Sequence, residues 1–241
     1  MHHVVLDRWS RRTSPLHRRD ARAKILAALA LLVSIATTDA GVLPMLAAYG
    51  AIVAAGFLAA RLPLFQAATR AGVVLPFSIA MALVSWVSGD PARAASVVVK
   101  SYLSASIVLL LIATTPLTEL LSGAEKLGAP RVVTLVVQFL YRYLFVISEQ
   151  VQHMLQAARC RSGSGNSGTR RRFQAAAGAL AVLFSKSYIR AEGIHNAMLA
   201  RGFRGRLPAI RTQRFEWADF GFLLAALIAA AATGLALRGA A

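Results

Sequence analysis

Residues 40–60, Ala40-Gly-Val-Leu-Pro-Met-Leu-Ala-Ala-Tyr-Gly-Ala-Ile-Val-Ala-Ala-Gly-Phe-Leu-Ala-Ala60, are 21 consecutive uncharged residues between Asp39 and Arg61. A helix needs roughly 17 to 25 such residues to cross the hydrocarbon of a bilayer. The same reading extends outward in both directions. Arg70 and Asp90 bracket 19 uncharged residues, Lys100 and Glu119 bracket 18, and Asp219 and Arg238 bracket another 18. Spans are therefore predicted near 41–60, 72–88, 97–115 and 217–237. The run 25–38 has only 14 uncharged residues, a length that fits a short span or a buried helix equally well. Charge placement decides between them. Seven Lys/Arg precede residue 25, none lies at 39–41, and Arg61 and Arg70 flank the next turn. Basic, non-basic, basic is the pattern of two crossings with Lys/Arg kept in the cytoplasm. The expectation is an all-α, polytopic membrane bundle of about five transmembrane helices.

Composition points the same way. Of 241 residues, 57% are hydrophobic and 15% are charged, where a soluble domain carries about a quarter charged residues. A net charge of +17 would suggest nucleic acid in a soluble protein. Here 12 of the 27 Lys/Arg lie between Arg159 and Arg214, and seven more lie in the N-terminal tail. Both segments fall on the predicted cytoplasmic side, where topology and anionic lipid headgroups account for the charge. No aromatic-interleaved basic motif accompanies it, so the bilayer is an expected partner and nucleic acid is not. A single cysteine, Cys160, excludes an internal disulfide and a Cys-based zinc site. The tail is too rich in arginine to read as a cleaved signal peptide.

Four segments follow: a basic cytoplasmic tail (1–24), spans one to four (25–115), a cytoplasmic helical unit (116–216) and a last span with the C-terminus (217–241). In the cytoplasmic unit, Pro116 suits the first turn of a helix capped by Thr115. Leu117, Leu120, Leu121, Ala124 and Leu127 form its apolar stripe, ended by Gly128 and Pro130. A second helix is predicted over 131–159, with Gln138, Arg142, Glu149, His153 and Gln156 on one face of an otherwise apolar surface. Residues 162–168 are a Ser/Gly connector. A third helix is predicted over 173–189, and a further turn or two over 192–201, ended by Gly202.

Chemistry-bearing motifs are few. Gly163-Ser-Gly-Asn-Ser-Gly168 spells G-x-G-x-x-G but lacks the strand–helix–strand context that holds a pyrophosphate. No G-x-x-x-x-G-K-[ST] loop exists, so no ATP site is expected. His2, His3, His17, His153 and His195 form no metal-site spacing, and the uncharged runs that define the spans hold no Asp or Glu that could form an ion or proton relay. A membrane-embedded enzyme would need clustered acids, but Glu119, Glu125, Glu149, Glu192 and Glu216 are widely separated. No cofactor, metal site or catalytic residue is expected in this chain. What remains is a pair of tripeptides 42 positions apart, Ala158-Arg159-Cys160 and Ala200-Arg201-Gly202. Arginines near helix C-termini ordinarily complement the dipole, and Gly202 is a usual C-cap. Two such sites, each preceded by Ala and each closing a predicted cytoplasmic helix, point instead to docking. Ala admits a close partner, and a guanidinium makes paired hydrogen bonds to carboxylate or carbonyl oxygens.

At these residues the chain resembles the T component of energy-coupling-factor (ECF) transporters, specifically the CbiQ type. The resemblance covers nearly the whole chain. It rests on Ser14-Pro-Leu-His17 with Asp20-Ala-Arg-Ala-Lys24, on Thr115-Pro-Leu-Thr-Glu-Leu-Leu121 with Leu127-Gly-Ala-Pro130, and on Ala197-Met-Leu-Ala-Arg-Gly-Phe203. The family's two Ala-Arg-Gly motifs map onto Ala158-Arg159-Cys160 and Ala200-Arg201-Gly202, with Cys160 standing where the family has Gly. Without that Gly the first helix is expected to slip its end toward Gly163 or to pay more for its cap. The resemblance implies a non-catalytic subunit of the inner membrane, its N-terminus and coupling region cytoplasmic. Its implied partners are two cytoplasmic ATPase subunits (CbiO-like) and a substrate-binding membrane subunit (CbiM-like), with a small CbiN-like subunit. Cobalt is the implied cargo, with nickel or a vitamin as the alternative.

Overall fold

The computed structural model describes Ser14 and residues 16–38, 43–162, 169–205, 217 and 219–228. The N-terminal tail before Ser14, the connection 39–41, the 163–168 linker, residues 206–216 and the end of the last predicted span lie outside these. All regular elements among the described residues are helical: α1 (Ala21–Thr37), α2 (Leu43–Ala59), α3 (Leu64–Ala71), α4 (Leu75–Val87), α5 (Pro91–Thr114), α6 (Leu117–Lys126), α7 (Arg131–Ser162) and α8 (Thr169–Ala200). A shorter apolar helix, α9 (Asp219–Ile228), follows. The all-helical, polytopic expectation holds. By length and composition, three stretches can cross a membrane: Phe65–Val87, Pro91–Thr114 and Arg131–Arg161. The first joins α3 to α4 through a 3-10 turn, Gly72–Val74. It is longer than the predicted 72–88 span because Arg70, read as a boundary, lies inside the helix.

Helix ends follow from local sequence. Gly89 takes a left-handed φ of 89° and closes α4, with its N–H on the Trp86 carbonyl at 2.9 Å and Asp90 N–H on Ser85 at 3.2 Å. Asp90 then caps α5, accepting from Arg93 N–H at 3.1 Å ahead of Pro91 in the first turn. At the other end of α5, Thr115 is extended because Pro116 follows it. Thr115 therefore caps the C-terminus of α5, and Pro116 itself is the N-cap of α6. This differs from the predicted roles of those two residues.

The chain divides into two compact units, one of 1–129 with 212–241 and one of 130–211. In the first unit α5 is central, packing on α1, α2, α3 and α4, while α6 packs on α1. Its core gathers Ile35, Leu46, Tyr49, Val53, Phe57, Leu103 and Ile107. Tyr49 is fully buried and its hydroxyl hydrogen-bonds Ser34 Oγ, which satisfies the polar tip of a large core ring. Outward-facing apolar residues are abundant: Phe77 is 70% exposed and Val87 is 84% exposed on α4. Such a surface suits lipid rather than water.

Two glycines set helix spacing in this unit. A Cβ on Gly56 would stand 2.7 Å from Leu110 Cδ2, the free end of a rotatable side chain. Replacing Gly56 by Ala should therefore change stability by less than about 1 kcal/mol, helix propensity offsetting the rotamer shift. Thermal unfolding in detergent checks this, and a larger loss would mean that Leu110 cannot move.

The second unit contains α7 and α8, each of 32 residues, lying against each other. Here α7 runs three residues past its predicted end at Arg159. The predicted break between 189 and 192 does not occur, and α8 is continuous to Ala200. Gly193 sits inside α8 with open space around it, so the glycine lowers helix propensity without interrupting the hydrogen-bond ladder.

Candidate functional site: two exposed arginines and a buried polar knot

α8 has a narrow inner stripe. Leu183, Ser187, Ile194 and Met198 are half-buried at spacings of 4, 7 and 4, while the rest of its described side chains are exposed. The last turn of that stripe carries the cap. Gly202 takes φ 77°, its N–H donates to the Leu199 carbonyl at 2.9 Å, and Phe203 N–H donates to Met198 at 3.0 Å. This pair of bonds is the Schellman arrangement, and Gly satisfies its left-handed position without steric cost. Arg201 is the residue just before that turn and is exposed. Its backbone is thus fixed by the cap while its side chain is exposed. The predicted role of Gly202 as a cap is what the structure builds.

Arg159 is placed differently. It lies within α7, followed by Cys160, Arg161 and Ser162 in the same helix. Ala158, Arg159 and Cys160 are all exposed. The described part of α7 reaches Ser162, so the helix continues past Cys160; the expected end near Gly163 lies outside the described residues. Arg159 and Arg161 both occupy the last turn, where they complement the negative end of the dipole. Among the described residues, neither the Arg159 nor the Arg201 side chain makes a hydrogen bond or ion pair. The two side chains are therefore available to a partner.

Restoring glycine at 160 tests this reading of the helix end. Cys160→Gly should speed amide exchange at Arg161 and Ser162 by roughly fivefold, the cost of Gly against an ordinary helical residue. Unchanged exchange would show that Cys160 does not hold the last turn.

The rest of α7 is amphipathic and outward-facing. Val132, Val133, Val136, Leu140, Leu144 and Leu155 are exposed. His153 and Glu149 pair at 3.8 Å across one turn, both well exposed, a contact of little energetic weight. Aromatic packing is stronger, with Tyr141 and Phe145 edge-on at 5.3 Å.

In the first unit, a buried polar knot forms around the N-terminal motif whose residues carried the resemblance but had no assigned role. Ser14 Oγ bonds His17 Nδ1 at 2.7 Å, and Asp20 caps α1 by accepting from Arg22 N–H at 2.9 Å. Lys24 is 4% exposed. Its ammonium donates to the carbonyls of Thr114 at 3.1 Å and His17 at 3.3 Å, and to Thr115 Oγ1 at 3.2 Å. Three acceptors use all three of its donors. Asp219 of α9 joins by accepting from Asp20 N–H at 3.3 Å and facing Arg19 at 3.8 Å. The fixed spacing of Ser14, His17, Asp20 and Lys24 is visible in sequence, but Thr114 and Asp219 lie 90 and 199 positions from their partners. No local periodicity signals those contacts. Among the described residues, no group of three or more His, Cys, Asp or Glu is arranged to hold a metal ion.

Long apolar helices, outward-facing aliphatic side chains and a basic, exposed two-helix unit define a polytopic helical membrane protein. The chain belongs to the CbiQ family of cobalt transport proteins, which it matches over residues 12–212. The cobalt transport protein CbiQ of Rhodobacter capsulatus is 30% identical over 174 residues, covering 68% of this chain and 70% of that protein. The uncharacterized protein MJ1571 of Methanocaldococcus jannaschii is 31% identical over 134 residues, covering 56% of this chain and 46% of that protein. A second protein of that archaeon, MJ1089, is 28% identical over 107 residues, 44% of this chain and 39% of its own length. The chain thus spans less than half the length of both archaeal relatives.

Proposed function

We propose that this chain is the coupling subunit of an ATP-driven ECF-type importer of the inner membrane, carrying cobalt. It holds two cytoplasmic ATPase subunits and passes their conformational change to a substrate-binding membrane subunit. The observation that carries this reading is the pair of exposed arginines of the 130–211 unit, each in the last turn or cap of one of its two 32-residue helices. A rigid helix with an unpaired guanidinium at its end fits insertion into a groove bearing carboxylate or carbonyl oxygens. Family membership supports cobalt as the cargo. The exposed aliphatic residues of α7 suit contact with a second membrane subunit or with lipid headgroups. The 130–211 unit and the basic tail lie on the cytoplasmic side in this reading, in keeping with their charge.

Purification of the tagged chain from cells expressing its neighbours tests the proposal. ATPase subunits should co-purify and hydrolyse ATP, while the isolated chain should hydrolyse none. ATP turnover by the isolated chain, or its recovery without any ATPase subunit, would contradict it.

A further inference from the structure

The buried polar knot holds the junction of α5 with α6, one helix before the chain enters the second unit, and Asp219 of α9, soon after the chain comes back to the first. α5 leads through Pro116 into α6, and α6 leads at Ala129 into the 130–211 unit; the chain returns after Arg211 to α9. Lys24 holds the C-terminus of α5, where Thr114 and Thr115 are 2% and 1% exposed. Asp219 on α9 is held by Asp20 and Arg19. α6 is held close on α1, because Gly123 would place a Cβ 3.1 Å from Ala21 Cβ and 3.4 Å from its backbone carbon. The stretch from Ser14 to Lys24 therefore fastens the α5–α6 junction and Asp219 of α9 at one place.

The far end of α1 is fastened to α5 too. Lys100 of α5 donates its ammonium to the carbonyl of Thr38, the C-cap of α1. Lys24 and Thr38 are 14 positions apart, and so are Lys100 and Thr114. Each helix thus supplies the lysine that caps the other's C-terminus, at two points about 21 Å apart along antiparallel axes. Sliding α1 along α5 would strip both ammonium groups of their carbonyl partners, at a buried site for Lys24 and a half-buried one for Lys100, which is disfavoured. The pair behaves as one rigid body.

We infer that residues 14–24, with Lys24 at their centre, form the anchor through which movement of the second unit reaches the membrane bundle. The inference rests on the coupling role proposed above. Lys24 is a positioning residue: it touches neither ATPase nor cargo, and it keeps the two connections moving with α1 and α5. Loosening it lets the connections flex, so ATP is still hydrolysed but less metal is moved for each ATP.

The test uses the full complex, the chain co-expressed with its ATPase and substrate-binding subunits and reconstituted in proteoliposomes. Co2+ uptake and ATP hydrolysis are measured on the same sample for Lys24→Met, Asp219→Ala and Arg201→Ala. In Lys24→Met and Asp219→Ala, ATPase content and hydrolysis should stay near the unmodified level while Co2+ taken up per ATP falls about tenfold. An unchanged ratio in the assembled variants overturns the inference, as does a proportionate fall of uptake and hydrolysis together, which marks a merely structural role. If Lys24→Met fails to assemble, the ratio in Asp219→Ala decides by itself. Arg201→Ala separates the two proposals, since full ATPase association there defeats the docking reading and leaves the anchor result to stand on its own ratio.

Discussion

Replacing Arg159 and Arg201 together by Ala will reduce ATP-driven cobalt uptake to background while the chain still reaches the membrane. Both side chains are exposed and unpaired within the described residues, so their loss removes no internal contact. The helices that carry them stay intact: Ala favours helix at 159, and the cap at 202 uses backbone atoms only. An arginine buried in a partner groove belongs to the small group of interface residues that dominate affinity. Each single replacement should weaken ATPase association by about 30-fold, and the double replacement by more than either. Arg201→Ala should be the more severe, because its position is fixed by a Schellman turn. Association and uptake are read together on the solubilised complex and on vesicles. Unchanged uptake in the double variant would remove the arginines from the mechanism.

Gly123→Leu should destabilise the protein by about 1–3 kcal/mol, the cost of overpacking a close helix contact. Gly123 is the buried residue of α6, and its hypothetical Cβ meets Ala21 Cβ at 3.1 Å, Ile25 Cδ1 at 3.3 Å and the Ala21 backbone carbon at 3.4 Å. Backbone cannot move aside as the tip of Leu110 can at Gly56. The leucine must therefore push α6 off α1, and with it the start of the 130–211 unit. Thermal unfolding in detergent should show a lowered midpoint for Gly123→Leu and little change for Gly56→Ala. Equal midpoints for the two variants would refute the distinction between a backbone and a side-chain obstacle.

Much of the helical architecture was legible from charge spacing alone, because a long uncharged run has few folded alternatives in lipid. The stripe of α6 and the glycine cap of α8 were legible for a local reason: both are written within four or five residues. Where the sequence misled, the cause was local as well. The apolar stretch gives out near Phe184, so the sequence reads as two helices, 173–189 and 192–201, yet the helix runs unbroken to Ala200 and tolerates Gly193 within it. Lys100 read as the edge of an uncharged run because any charge interrupts hydropathy. In the structure it lies inside α5, where the terminal carbonyl of α1 accepts its charge. The polar knot was not legible at all as an arrangement. Its residues reach across the chain from Lys24 to Thr114 and from Asp20 to Asp219, and only folding brings them together. For the candidate site, sequence placed both arginines on helix ends; structure confirmed the capped end for Arg201 and moved Arg159 one turn inward.

The central claim is that the two helix ends dock on ATPase subunits, and site-directed photo-crosslinking tests it most directly. A photoreactive residue is placed at 159 or at 201 of the full chain in membranes holding all partner subunits. The expected result is a covalent adduct with an ATPase subunit from each position, its yield changing when ATP is added. Adducts with lipid or with the substrate-binding subunit alone, from both positions and regardless of ATP, would contradict the account.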